Sequence, residues 1–365
     1  MQKPIMKVEF FSVFGKSRRN DFVCFFALCM FFCYMCKLKI TFVGKMGVKI
    51  MCTAICDDAF GRLFGRTLDF ECSFGEEFVA VPRRYRFDFL HEGACREHLA
   101  IIGVAHVEDG VPLFYDAMNE AGVFCAGLNF PISAKYKEPQ REKKNIASFE
   151  LIPFVLSNCK SADEAAGLLR CVNVTGDAYS RALPPSPLHW FISDGAASYA
   201  VEPCESGLAV RENPVGTLTN EPPLDYHLTR LSDFMQLGSG VAENRLLPGR
   251  ELLQYSRGMG AIGLPGDFSS SSRFVRATFA KTHTSLSEHS SGERIERFFH
   301  IMDTVSVPRG CVRTVDERDV YTVYTSLADA DTLTYHFTTY ANRSIRSISL
   351  GDYKDGESLV RFSME

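Results

Sequence analysis

From Met51 onward the sequence is a run of strand-length segments punctuated by turn residues, and that rhythm limits the folds open to it. "MCTAICDD" alternates and then breaks at Asp57-Asp58-Ala59-Phe60-Gly61; "RLFGRTLDF" reads as the returning arm of a hairpin. "EEFVAVP", "EHLAIIGVAHV" and "VPLFYDAMN" predict further strands, with Glu108-Asp109-Gly110 and Asn119-Glu120-Ala121-Gly122 as turns between them. "GVFCAGLNFP" closes this first stretch of sheet.

Helical spacing then takes over in "SFELIPFVLSNC" and in "SADEAAGLLRCV", where Ser161 occupies the N-cap place and acids fill the first turn. Strands resume with "LHWFISD", "SYAVEP", "GLAVRE" and "VGTLTN". "LDYHLTRLSDFMQL" predicts a helix, "SRFVRATFAKT" and "GERIERFFHIMDTV" follow it, and the chain returns to strands in "DVYTVYTSLAD", "TLTYHFTTY" and "SIRSISL". No internal repeat is visible. Blocks of strands interleaved with paired helices predict a layered α+β domain, with sheets packed together and helices outside.

Composition narrows the class. Of 365 residues, 23% are charged and 46% hydrophobic, as in an ordinary globular protein that can bury a substantial core. A net charge of −4 offers no basic surplus for nucleic acid. The short cluster Arg141-Glu142-Lys143-Lys144 reads as a solvated loop. Thirteen cysteines are many, yet most are scattered and several lie in apolar segments, where a free thiol packs as a small hydrophobe. A reducing compartment follows more readily than a disulfide framework. Cys33 and Cys36 spell C-x-x-C, but in an apolar tract without a second pair, so metal or redox use has little support.

The first fifty residues have a different texture. Over residues 1–20, Lys3, Lys7, Lys16, Arg18 and Arg19 face a single acid, Glu9, and after Asp21 fifteen uncharged residues run from Phe22 to Cys36. Basic residues before such a run resemble a secretory signal, and the run is short for a transmembrane helix. No small-x-small cleavage site follows closely. A signal or pro-segment, an interfacial anchor, and upstream sequence read from a start assigned too early all fit. The chain is therefore divided into an N-terminal extension, residues 1–50, and one domain, residues 51–365.

Met51-Cys52-Thr53 itself looks like the beginning of a protein. Were Cys52 the first residue, its own α-amine would lie beside its thiol. Such an amine titrates near ~7.7 and can take the thiol proton, then return a proton to a leaving amine. Arg66 would favour thiolate, and Asp69 would hold the α-ammonium or the arginine. In a regular strand positions 66 and 69 face opposite sides, so the strand is expected to bend or end there if both serve.

Together these segments resemble the choloylglycine hydrolase family, which includes bile salt hydrolases and penicillin V acylases. "MCTAICDD…FGRTLDF", "YDAMNEAGVFCAGLNFP" (115–131), "GTLTNEPPLDYHL" (216–228) and "GLPGDFSSSSRFVRATF" (263–279) occur in family order. The resemblance implies a four-layer αββα sandwich of the N-terminal nucleophile hydrolase type. It implies Cys52 as nucleophile, Arg66 beside the sulfur, and Asp69 as the carboxylate that binds the α-amine. Asn129 and Asn220 would be the oxyanion donors, and Arg273 would complete the polar site. No metal or organic cofactor is implied. The substrate would be a conjugated bile acid, cleaved through a thioester acyl-enzyme; the assembly, a homotetramer; the location, the cytoplasm, or outside the cell if residues 1–50 export it. No stable membrane insertion is expected of the mature form.

Singly, each residue has a plainer reading. Asn129 before Phe130-Pro131 suits a turn, Asn220 before Glu221-Pro222-Pro223 a loop, Arg273 a helix surface, and Cys56 and Cys125 a packed core. Within the family, asparagine at position 129 accompanies bile salt hydrolases, and tyrosine accompanies penicillin V acylases. Glu221 departs from the second asparagine of many relatives. Two other readings stand: a penicillin V or other N-acyl amide hydrolase, and a non-catalytic binder of amphipathic ligands if residues 1–50 stay attached. A cysteine–histidine protease finds no signature among nine dispersed histidines.

Overall fold

Hairpins set the architecture of the computed structural model, which describes residues 51–287 and 290–364. The N-terminal extension predicted over 1–50, with its Phe22–Cys36 run, lies outside the described residues.

In chain order, β1 (Met51–Asp57) and β2 (Leu63–Phe70) form the first hairpin, and β3 (Glu77–Val81) follows. A small hairpin, β4 (Phe87–Phe89) with β5 (Gly93–Cys95), precedes β6 (Ile101–Glu108), β7 (Val111–Asn119) and β8 (Phe124–Asn129). The turn between β6 and β7 has Asp109 at φ 50° and Gly110 at φ 81°, the two positive values that a tight hairpin needs. Then come β9 (Lys144–Ala147), α1 (Leu151–Asn158), α2 (Ala162–Leu169) and β10 (Val172–Thr175), which pairs with β9 in parallel. The second half of the sheet material begins with β11 (Leu188–Ser193), β12 (Ser198–Cys204), β13 (Gly207–Glu212) and β14 (Thr217–Leu218). Three helices follow: α3 (Leu224–Arg230), α4 (Ser270–His283) and α5 (Ser291–Asp303). The chain ends in β15 (Val312–Arg313), β16 (Asp319–Asp329), β17 (Thr334–Thr339), β18 (Arg346–Ser349) and β19 (Val360–Ser363).

These strands make two antiparallel sheets, one ordered β14-β1-β2-β16-β17-β18 with β15 beside β16, the other β13-β12-β11-β8-β7-β6-β3-β19. Side-chain alternation sorts their residues into three cores. Phe64, Phe78, Phe124 and Phe191 meet between the sheets. Val79, Cys125 and Trp190, pointing the other way, pack with Leu151, Val155 and Ala165 of α1 and α2. Ile55, Leu63 and Leu327 pack with Ala277 of α4 and Phe298 of α5. Helix, sheet, sheet, helix is the four-layer αββα sandwich expected. Glycine is required at 65, where a Cβ would lie 2.0 Å from the Ser326 carbonyl oxygen.

Boundaries differ in places. "LDYHLTRLSDFMQL" is helical only to Arg230 and continues as a 3-10 turn, Leu231–Phe234. The strand expected in "VGTLTN" shrinks to Thr217–Leu218, and Val172 belongs to β10 rather than to a helix. β4, β5, β9, β10, β15 and β19 were not predicted; short strands leave too little alternation to register.

Candidate active site

Cys52 is the second residue of β1 and pairs with Leu68 on β2. Alternation sends its side chain, 1% exposed, between the sheets with Ala54 and Cys56. Arg66 projects into the same space and its Nη2 donates to Cys52 Sγ at 2.6 Å. The guanidinium is aimed by two carbonyls of the opposite sheet, Gly127 at 2.6 Å and Tyr115 at 3.1 Å from Nη1. Tyr115 is free to offer its carbonyl because it is the extra residue of a bulge: Val104 pairs with Asp116 and Ala105 with Phe114.

Asp69 does face the other way. The expectation that β2 must bend or end between 66 and 69 is corrected: β2 runs unbroken to Phe70, and the irregularity sits in its neighbour. On β16, Thr322 pairs with Asp69 and Tyr324 with Leu68, so Val323 is a bulge. That bulge switches the alternation. Thr322 Oγ1 donates to Asp69 Oδ1 at 2.6 Å on the helix-facing side, where Thr67 Oγ1 donates to Oδ2 at 3.1 Å. Tyr324 points instead between the sheets, to Asp116. The sheet is thus used from both faces, with the thiol and Arg66 on one and Asp69 on the other.

Asn220 and Arg273 hold the backbone of Cys52. The Cys52 backbone N–H donates to Asn220 Oδ1 at 2.9 Å, and Arg273 Nη2 donates to the same oxygen at 2.6 Å. Arg273 Nη1 donates to the Cys52 carbonyl at 2.5 Å and to Thr53 Oγ1 at 2.7 Å. Arg273 comes from the first turn of α4, whose N-cap is Ser269; it is 1% exposed, against the plainer reading of a surface residue. Asn220 Nδ2 donates to the Asn129 carbonyl at 2.9 Å. Asn129, at the end of β8, also turns its backbone N–H to the Cys52 sulfur. The other five residues predicted for the site, Arg66, Asp69, Asn129, Asn220 and Arg273, therefore lie around Cys52.

Burial pushes the Cys52 thiol up; Arg66 opposes this, Asp69 reinforces it, and Arg273 and the Asn129 N–H oppose it. Burial thus opposes loss of the thiol proton and the Arg66 cation favours it. Burial also raises Asp69, against the pull of Arg273 and the hydrogen bonds from Thr322 and Thr67. Burial disfavours the Arg66 cation, but Cys52, Tyr324 and Asp116 outweigh it and hold it charged. Arg273 is lowered by burial, with Asp69 opposing.

Several contributors escaped the sequence reading. Asp116, fully buried, accepts from Tyr324 Oη at 2.5 Å, Tyr335 Oη at 2.7 Å and Ser326 Oγ at 3.0 Å, which ties β7 to β16 and β17 across the sheets. His227 Nε2–H donates to the Asn220 carbonyl at 3.1 Å and His189 Nε2–H to the Thr219 carbonyl at 3.0 Å, so both position the loop that carries Asn220. The only signal of Asp116 in the sequence was its place beside Tyr115 in a block already noted. The tyrosines lie over two hundred positions away (208 and 219 residues).

Among the described residues, none of the nine cysteines is paired with another in a disulfide, Cys56 and Cys125 are buried as expected of packed thiols, and no group of His, Cys, Asp and Glu is placed to hold a metal ion. No described helix is long and apolar enough to cross a membrane.

The chain is similar to known proteins. A profile described as linear amide C–N hydrolases, choloylglycine hydrolase family, matches residues 52–359. A bile salt hydrolase/transferase of Lactiplantibacillus plantarum is 40% identical over 315 residues, 86% of this chain and 97% of the relative. Another, of Clostridium perfringens, is 34% identical over 305 residues, covering 82% and 92%. A solved cysteine-to-alanine variant of the conjugated bile acid hydrolase from Clostridium perfringens superposes with TM-score 0.77 at 33% identity, covering 86% of this chain and 97% of that one. A penicillin V acylase from Agrobacterium tumefaciens shares the fold, with TM-score 0.67 at 19% identity over 85% and 90%.

Proposed function

The chain belongs to the choloylglycine hydrolase family of linear amide C–N hydrolases, and from that premise we propose that it cleaves the amide joining a bile acid to glycine or taurine. The observation that carries this reading is the Cys52 sulfur 2.6 Å from Arg66 Nη2, with Asn220 and Arg273 on the same residue's backbone. Relatives named for bile salts, 34% to 40% identical, support the substrate class. Asn129 favours bile salts over penicillin V.

In the proposed reaction Cys52 begins the mature chain, after removal of Met51 and everything before it. Its α-amine takes the thiol proton, and Asp69, which lies across the strand pair from Met51, holds the ammonium. The thiolate, steadied by Arg66, attacks the amide carbonyl. Charge that develops on the carbonyl oxygen is met by Asn129 and by the second Nδ2 proton of Asn220; a donor so placed is worth roughly 3 kcal/mol. The ammonium protonates the departing glycine or taurine nitrogen, leaving a thioester on Cys52 that water hydrolyses with the amine again as base. The apolar steroid needs a largely apolar recess.

The chain acts in the cytoplasm as a homotetramer in this reading, without stable membrane insertion. The exposed Met235, Leu246, Leu253 and Tyr255 lie in one chain segment and support a role for it in assembly. Glycocholate, taurocholate and penicillin V compared side by side test the substrate: kcat/KM for a bile acid conjugate should exceed that for penicillin V by about tenfold or more. The reverse order retires the bile salt reading and leaves the family intact.

A further inference from the structure

Glu221 follows Asn220 directly, is half-buried, and turns its carboxylate away from the sulfur. Oε1 accepts from the backbone N–H of Ile132 at 2.8 Å and of Ser133 at 2.7 Å; Oε2 accepts from Ser133 Oγ at 2.8 Å. Three donors on one carboxylate make this group a clamp rather than a base. The donors belong to the turn that leaves β8, three and four residues beyond Asn129. The carboxylate belongs to the loop that leaves β14, one residue beyond Asn220. The same two loops meet directly once more, Asn220 Nδ2 on the Asn129 carbonyl at 2.9 Å, and are linked through β11, where His189 stacks on the Phe130 ring and donates from Nε2 to the Thr219 carbonyl. The Glu221 tie is the one that carries formal charge, and charge-assisted hydrogen bonds are roughly twice as strong as neutral ones.

We propose that Glu221 is a positioning residue that locks the turn after Asn129 to the loop of Asn220, so that the two oxyanion donors keep a fixed separation. The inference rests on the proposed function for its effect on turnover and stands without it as a statement about the two loops. A small change in the alignment of such donors acts on the transition state more than on substrate binding.

The test uses Glu221→Ala and Glu221→Gln in the chain begun at Met51, the form proposed to be active. Glutamine keeps an acceptor for both N–H groups, and its own amide donates to Ser133 Oγ. Amide hydrogen exchange at Ile132 and Ser133 should rise about tenfold or more in Glu221→Ala and return close to the wild-type rate in Glu221→Gln. With glycocholate, Glu221→Ala should lose about tenfold in kcat with KM changed by less than about twofold, and Glu221→Gln should restore it. Unchanged exchange in Glu221→Ala overturns the clamp. So does faster exchange with unaltered kcat, or a Glu221→Gln variant as impaired as alanine. If the wild-type chain turns over no conjugate, the proposed function falls, and exchange alone decides: fast in alanine but slow in wild type and glutamine upholds the clamp, any other pattern ends it.

Discussion

In the proposed mechanism three demands meet at Cys52: its thiol needs a cation, its backbone needs anchoring and its proton needs somewhere to go. Arg66 and Arg273 meet the first two through side chains that arrive from β2 and α4. Cys52→Ala is expected to lower turnover by at least about a thousandfold while the melting temperature stays near wild type, because only a sulfur is lost. Cys52→Ser should keep little activity, as a hydroxyl is far harder to deprotonate; comparable turnover by Cys52→Ala would end the mechanism. Asp116 answers a different need. Its carboxylate is the shared acceptor of two tyrosines and a serine between the sheets. Asp116→Ala leaves those buried hydroxyls without it and should cost about 2–4 kcal/mol, read by urea denaturation. A loss below about 0.5 kcal/mol would mean that the network is not a structural tie.

Elements bring their own charges to the site's frame. Arg297 on α5 reaches Asp57 at the end of β1, and its Nη2 donates to the Lys281 and Thr284 carbonyls at the end of α4. Burial raises Asp57 and Arg297 opposes it. Arg297→Leu leaves that carboxylate buried without its cation and should destabilise by about 3–5 kcal/mol; the double variant with Asp57→Asn should recover part of this in the same denaturation experiment. His227 on α3 is lowered to about 4 by burial, with His189 and Arg273 pushing the same way and the Asn220 carbonyl and Glu202 opposing. A histidine lowered in the folded state binds its proton more readily when unfolded. Its contribution is therefore complete above about 6.5 and is lost as pH falls from there towards about 4, up to roughly 3 kcal/mol. Urea midpoints at pH 7 and pH 5 should differ less in His227→Gln than in wild type. The element scale is also where reading the sequence failed most. Strand alternation placed β1, β2 and β8 correctly, but the bulges at Tyr115 and Val323 leave no mark in composition, because a bulge is a mismatch between partners rather than a property of one strand.

For the whole molecule the open proposal is the start of the functional chain. A chain begun at Met51 should lose its methionine, since cysteine is small, and expose the α-amine of Cys52; it should be active. A chain that keeps residues 1–50 should be inactive, because an amide nitrogen is no base, and its Phe22–Cys36 run should promote aggregation or membrane association. Intact mass beside an activity assay decides it: turnover by a chain whose mass retains Met1 rules out the amine mechanism. Removal by processing gives the same mature end, and N-terminal sequencing of native protein separates the two routes.

The layered class and the hairpin order were legible in the pattern of residues, and the family resemblance named the five polar residues around Cys52. Periodicity fixes which faces are apolar, and four ordered blocks carried the family resemblance. How those residues divide the work emerged when the chain folded. Arg66 and Asp69 lie on opposite faces of one strand and both reach the site because Cys52 offers its sulfur to one face and its backbone to Asn220 and Arg273. Asp116 found its tyrosines, and Glu221 its turn, only when strands far apart in sequence were brought together. Such contacts depend on three-dimensional register, which no local pattern of residues encodes.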